Sequence, residues 1–230
     1  MSADMDFRLE DIDDAEIARR LSIVEPLTDS VRDLVDAVIR TEVDDAELIA
    51  ARTAIEAIVT RLRARQKDKG YGVAFTRDFT GMPWGNAATG ARNAVAPPLR
   101  LSKVDGVTRG DVVLGAAYEG PGGHVHGGIA ALLLDQLVGE TAAADNMPSF
   151  TGTLTVRYLR PTPLGPVTLT GRVTGTEGRK TFVHGELSDA DGVTVEADAV
   201  MIRPKSFPSR DQISAAITGH DTPTADKPTP

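Results

Sequence analysis

Residues 120 to 140 read GPGGHVHGGIAALLLDQLVGE: a glycine-rich approach leads into an aliphatic run that is interrupted by one acid, Asp135. Ile129, Ala130, Ala131, Leu132, Leu133, Leu134, Leu137 and Val138 fall on nearly every face of a helix that begins at Gly127. Such a helix is expected to be central and buried, not to lie on the surface. A carboxylate inside it has little water to retreat to, and a buried ion is costly unless it is paired, hydrogen-bonded or used. Acids in such surroundings gather at active sites, which makes Asp135 a candidate functional group. The competing reading places it at a subunit interface, satisfied by a Ser or Thr hydroxyl.

The start of the same helix offers a second kind of chemistry. His126, Gly127 and Gly128 lie where a loop enters it, so backbone N–H groups without intrahelical partners point outward from the positive end of the helix dipole. Glycine lets a ligand approach closely, and such an end can hold a phosphate or a developing oxyanion. No Gly-Lys-Ser/Thr follows, and the spacing does not fit a dinucleotide fingerprint, so the oxyanion reading is the better one.

The elements around this helix are legible from their periods. Residues 28 to 66 predict two helices, with apolar stripes at Val31, Leu34, Val35, Val38 and Ile39, then at Leu48, Ala51, Ile55, Ile58 and Leu62. Ser30 with Asp33 has a capping-box spacing for the first, and Asp44 and Asp45 suit the start of the second. Residues 67 to 98, rich in Gly, Pro and Asn, read as an ordered loop or a lid. From Leu99 the period becomes two: LRLSKVDGV carries an Asp-Gly turn and leads into DVVLGAAYE, where Val112, Leu114, Ala116 and Tyr118 alternate with their neighbours. After the glycine-led helix come TGTLTVRYLR, PVTLTGRVTG, RKTFVHGELS and VTVEADAVMIR, joined by short turns. One helix among about six strands predicts an α+β fold with an antiparallel sheet. The tail from 205 to 230 reads as flexible.

Composition narrows the partners. A chain of 230 residues with 41% hydrophobic content can bury one full core plus a smaller appendage. The net charge of -8 disfavours nucleic acid and anionic membranes, and neither a membrane span nor a signal peptide is visible. With zero cysteines, disulfides, thiolate nucleophiles and cysteine metal sites are all excluded, which fits a cytoplasmic protein. His124, His184 and His220 have no metal-ligand spacing, and no cofactor is implied.

HGGIAALLLD at 126 to 135, Thr151 sixteen residues beyond the acid, LTVRYLRPTPLG with its Tyr-x-Arg-Pro, and GRKTFV at 178 to 183 together resemble the hotdog-fold acyl-CoA thioesterases of the PaaI-like and THEM-like group. The resemblance covers roughly residues 99 to 204. It implies a curved antiparallel sheet wrapped around one central helix, dimers or dimers of dimers, and hydrolysis of acyl-CoA thioesters. By residue, it implies that the Gly127 and Gly128 amides bind the carbonyl with His126 beside them. Asp135 then serves as nucleophile or general base, and Thr151 partners the acid or its water. GPGGHV stands where some relatives carry an Asn or Gln ahead of the glycines, so a side-chain oxyanion donor is not evident, and His126 reads equally as a cap. Coenzyme A carries several phosphate charges; Arg157, Arg160, Arg179 and Lys180 are the candidate cations, Arg160 foremost because it belongs to YxRP.

Two other classes compete. A hotdog hydratase or dehydratase needs a D-x-N-P-x-H arrangement, which ADNMPS at 144 to 149 only brushes because it lacks the histidine. A non-catalytic acyl-CoA binder would keep the fold without turnover. Helix geometry adds one expectation: Gly128 and Asp135, seven residues apart, stand roughly 10 Å apart along one axis. One thioester carbonyl cannot reach both, so the two halves of a site are expected from different chains, as composite sites of a homodimer.

Overall fold

The computed structural model describes residues 7–10, 12–68, 70, 72–76, 81–143 and 149–204. Its centre is a six-stranded antiparallel sheet of β4 (Ser102–Val104), β5 (Val107–Leu114), β6 (Phe150–Tyr158), β7 (Gly165–Glu177), β8 (Lys180–Asp189) and β9 (Gly192–Ile202), in the order β4-β5-β7-β8-β9-β6. The β4–β5 hairpin turns at Asp105 and Gly106, both with positive φ (50° and 77°), as the two central residues of a primed hairpin turn require.

The helix α3 (Gly127–Ala142) lies across one face of this sheet. Ala130, Leu133, Leu134, Leu137 and Val138 are buried against Val112, Leu114, Val167, Leu169, Val183, Leu187 and Ala197. Each large aliphatic side chain so buried contributes about 1.5–3 kcal/mol. The helix sits close because glycines face each other under it: a Cβ on Gly171 would land on Thr141 Oγ1, and one on Gly185 would stand 3.1 Å from Leu137 Cδ2. Lys103 Nζ closes the far end of α3 by donating to the carbonyls of Thr141 (2.9 Å) and Ala143 (3.2 Å), as a cation at a helix C-terminus should.

Ahead of the sheet stand α1 (Asp14–Arg40), α2 (Asp45–Arg63) and a small sheet of β1 (Phe7–Leu9), β2 (Val73–Phe75) and β3 (Gly81–Met82). Ile17 and Leu21 of α1 pack on Ala74, Met82 and Trp84. Here the sequence reading needs three corrections. α1 starts at Asp14, not near Ser30: Asp13 is the N-cap, accepting from Glu16 N at 2.8 Å, and Pro26 lies inside the helix. Ser30 Oγ donates instead to the Pro26 carbonyl within the helix. β5 ends at Leu114, and Ala116–Tyr118 form a 3-10 turn. Residues 67 to 98 carry β2 and β3 before a turn-rich loop. That loop is ordered, with Arg32 of α1 donating to the carbonyls of Ala96 and Asn93. Residues 144 to 148 of ADNMPS, and the tail from 205 onward with His220, lie outside the described residues. No helix among the described residues is long and apolar enough to cross a membrane.

Candidate active site

Asp135 sits midway along α3, and the Thr151 hydroxyl on β6 donates to its Oδ1 at 2.8 Å. This contact depends on an irregularity in the edge strand. Strand residues alternate faces, so a regular β6 would send Thr151 away from the face that Leu154 and Val156 present to the core. The pairing shifts between Thr151, opposite Met201, and Thr153, opposite Val200, with Gly152 as the extra residue. The bulge re-aims one side chain, so Thr151 joins Leu154, Val156 and Tyr158 on the side of α3. A Cβ on residue 152 would come within 2.8 Å of Ile202 Cγ1 and 3.1 Å of the Val200 carbonyl, which gives a steric reason for glycine at the bulge.

At the start of α3, His126 is the N-cap and its Nδ1 accepts from Gly128 N at 3.0 Å. The Gly128 amide is thus engaged within the chain, while the Gly127 N–H finds no acceptor among the described residues. With Nδ1 accepting, the neutral ring carries its proton on Nε2, a second donor at the same end. Tyr158, which the sequence reading did not single out, donates its hydroxyl to the Gly127 carbonyl at 2.8 Å. Its ring explains the glycine, since a Cβ at 127 would stand 3.3 Å from Tyr158 Cε1. The tyrosine of the Tyr-x-Arg-Pro stretch was the available cue. An open cavity of about 450 Å³ lies here, lined by His124, Gly127, Tyr158 and Arg160 among others.

The expectation of an all-round buried helix holds for only part of α3. Ala130, Leu133, Leu134, Leu137 and Val138 are buried, but Gly128 is exposed and Ala131, Leu132, Asp135 and Gly139 are only partly covered. These five residues form one stripe of small or aliphatic side chains around a single acid, so Asp135 is half-buried and keeps one side open. Beside it, Gln136 Oε1 accepts from Asn86 Nδ2 at 3.2 Å, which fastens the loop after β3 to α3 next to the acid.

The four candidate cations fall in different places. Arg157 points away from α3, where Glu196 (2.7 Å) and Asp198 (2.6 Å) hold it. Asp198 also accepts from the ring of His184 on β8; this bond raises the His184 pKa. Arg160 lines the cavity, yet its guanidinium is clamped by both oxygens of Asp189 and by the Gly192 carbonyl, bracing the β8–β9 turn. Arg179 donates to the Arg203 carbonyl at 2.8 Å, and Lys180 is exposed at the β7–β8 turn, at the Thr151 end of the sheet.

The clamp makes a prediction about acid stability. Arg160 beside Asp189 holds that carboxyl down to about 2, so the stabilisation is present above the ordinary carboxylate range and is lost as pH falls through 4 towards 2. Arg160→Gln should therefore lower the melting temperature at pH 7, and the gap from the native chain should close in melts recorded toward pH 2. A gap that persists undiminished at low pH would assign the effect to packing instead.

Comparison with known proteins follows the same residues. A family model described as Thioesterase superfamily matches residues 122–196, from the glycine turn through Asp135 and Thr151 into β9. The crystal structure of a thioesterase superfamily protein is similar at a TM-score of 0.69 and 36% identity, covering 78% of this chain and 94% of that one. That share exceeds what residues 99 to 230 can supply, so the likeness reaches into the region ahead of β4. The acyl-coenzyme A thioesterase THEM4 of Xenopus laevis is 34% identical over 95 residues, 41% of this chain and 43% of that protein. The chain thus spans less than half the length of this curated relative.

Proposed function

The chain belongs to the thioesterase superfamily, and from that premise we propose that it hydrolyses an acyl-CoA thioester to the free acid and coenzyme A. The observation that carries this reading is the hydrogen bond between Thr151 and Asp135, set on a helix whose first amide has no acceptor among the described residues. Thr151 occupies Oδ1 and orients the carboxylate, leaving Oδ2 for a water or for direct attack on the carbonyl carbon. In the water route, Asp135 takes one proton as the oxygen adds to the thioester carbon. The resulting oxyanion is held by the Gly127 N–H, with His126 Nε2–H beside it. Collapse breaks the C–S bond, and the departing thiolate recovers the proton from Asp135. Acid and free thiol leave in equal amounts.

Geometry within one chain does not let these groups meet. Gly127 and Asp135 are eight residues apart on a continuous α3, roughly 12 Å along its axis. We therefore assign the site to two chains, whose α3 helices pack antiparallel through the half-covered stripe Gly128, Ala131, Leu132, Asp135 and Gly139. Arg157 and Arg160 are already engaged by carboxylates, so the Arg179–Lys180 turn is the better source of positive charge for the coenzyme A phosphates. THEM4, named as an acyl-coenzyme A thioesterase, supports the substrate class.

The direct test is thiol release across a panel of acyl-CoAs. Hydration of an enoyl-CoA without thiol release would move the chain to a hydratase, and saturable binding without either reaction would make it a binder. Within the same assay, Thr151→Val removes a hydrogen bond to a charged group, worth about 1.5–3 kcal/mol, so kcat should fall roughly ten- to hundredfold with a smaller change in KM.

A further inference from the structure

α2 spans Asp45–Arg63, nineteen residues, and none of them is buried. Yet its sequence is not that of a solvated helix. Leu48, Ile58, Val59 and Leu62 are 45%, 49%, 37% and 53% exposed; Leu48, Ala51, Ile55, Ile58 and Leu62 form one stripe at alternating spacings of three and four, with Val59 beside it, the seam pattern of a helix that packs along another helix. In proteins most of a helix's stability comes from packing its amphipathic face against another element. The described residues leave the stripe uncovered.

The pattern is symmetric about its middle. Ile55 is the one residue of α2 that is partly covered; Leu48 lies seven residues before it and Leu62 seven after, with Ala51 four before and Val59 four after. The charges have the complementary asymmetry: Asp45 and Glu47 precede the seam, and Arg61 and Arg63 end it. Laid antiparallel on a second α2 about a two-fold axis at Ile55, Leu48 meets Leu62 of the second copy and Ile55 meets itself. Asp45 then lies across from Arg65 of the second copy, and Glu47 across from its Arg63. A parallel pair would instead place acid on acid and base on base. A surface complementary to itself in both apolar contact and charge selects a copy of itself, as an isologous two-fold interface does.

We infer that α2 is a self-docking surface, which pairs antiparallel with α2 of a second copy of this chain around Ile55. The inference rests on α2 alone and does not depend on the proposed hydrolase activity. It also gives the acidic start of α2 a double use, with Asp44 capping the helix through Glu47 N while its neighbours face the partner's arginines.

The chain has no cysteine, so a single introduced thiol is unique. In the full-length protein, Ile55→Cys should give mostly covalent dimer on mild oxidation or with a short bis-maleimide. Leu48→Cys should not crosslink to itself, because two copies of that position stand roughly 21 Å apart in the antiparallel pair. Mixed with Leu62→Cys, it should. All three positions are at least partly exposed, so the variants keep the fold, which circular dichroism checks. Self-crosslinking of Leu48→Cys would establish a parallel arrangement and overturn the inference. So would an Ile55→Cys chain that is folded and remains monomeric on a non-reducing gel.

Discussion

Asp135→Asn is expected to lower kcat for acyl-CoA hydrolysis by about 10²–10⁴-fold with little change in KM, the range for removing a positioned general base. The substitution is nearly isosteric. The new amide oxygen still accepts from Thr151 Oγ1, so the contact between β6 and α3 survives and the variant should melt close to the native chain. What disappears is the ability to take a proton or to attack. Because that interaction is used in the transition state and not in binding coenzyme A, the loss belongs in kcat. Retention of near-native kcat would remove Asp135 from the chemistry. Single-turnover hydrolysis in ¹⁸O-labelled water separates the two routes left open for the acid. Label in the Asp135 carboxylate means direct attack through an anhydride that water opens at its aspartyl carbonyl, whereas label in the product acid alone means that water enters at the acyl carbon, as the activated-water route requires.

The parts of this arrangement that could be read from the sequence are those written in local periods. The switch from helical spacing to alternation at Leu99, the Asp-Gly turn and the aliphatic run after Gly127 each specify an element through nearby residues, and the sheet and α3 follow from them. The parts that could not be read depend on contacts between distant segments. Alternation alone puts Thr151 on the wrong face of β6, and only the isolated Gly152 signals a bulge. That signal becomes geometry through Ile202 and Val200, some fifty residues downstream. Arg160 looked like a phosphate ligand because its motif was visible, while its partner Asp189 lies across a hairpin in another strand. Tyr158 was hidden for the converse reason: a tyrosine near the end of a strand is unremarked until its ring is found against Gly127. The start of α1 was misplaced because Ser30 and Asp33 have the spacing of a capping box, whereas the Asp13 cap and the acids behind it begin the helix at Asp14. At Thr151, Arg160 and Tyr158 a partner from a distant segment outweighed the local cue, whereas at α1 one local cap outweighed another.

Mixing two inactive variants should restore activity, and this is the largest effect that the two-chain site predicts. The first parent is Asp135→Asn. The second is Gly128→Val, chosen because a Cβ at 128 meets only the His126 ring, at 3.1 Å from Nδ1, a side chain that can swing aside. Its helix therefore still packs, but the branched side chain disturbs the cap and blocks the approach to the Gly127 amide. Position 127 serves less well, since a side chain there would strike Tyr158 in its own chain. In a mixed dimer, one site combines both defects. The other combines the intact Asp135 of the Gly128→Val chain with the intact helix start of the Asp135→Asn chain. Random exchange of equal amounts makes about half of the dimers mixed, each with one working site of two, so about one quarter of native activity should return although each parent has almost none. Exchange is followed independently with differently tagged chains. If tagged mixed dimers form and the mixture stays inactive, the acid works with donors of its own chain, and α3 must then bend or shift by most of the roughly 12 Å that separates Asp135 from Gly127.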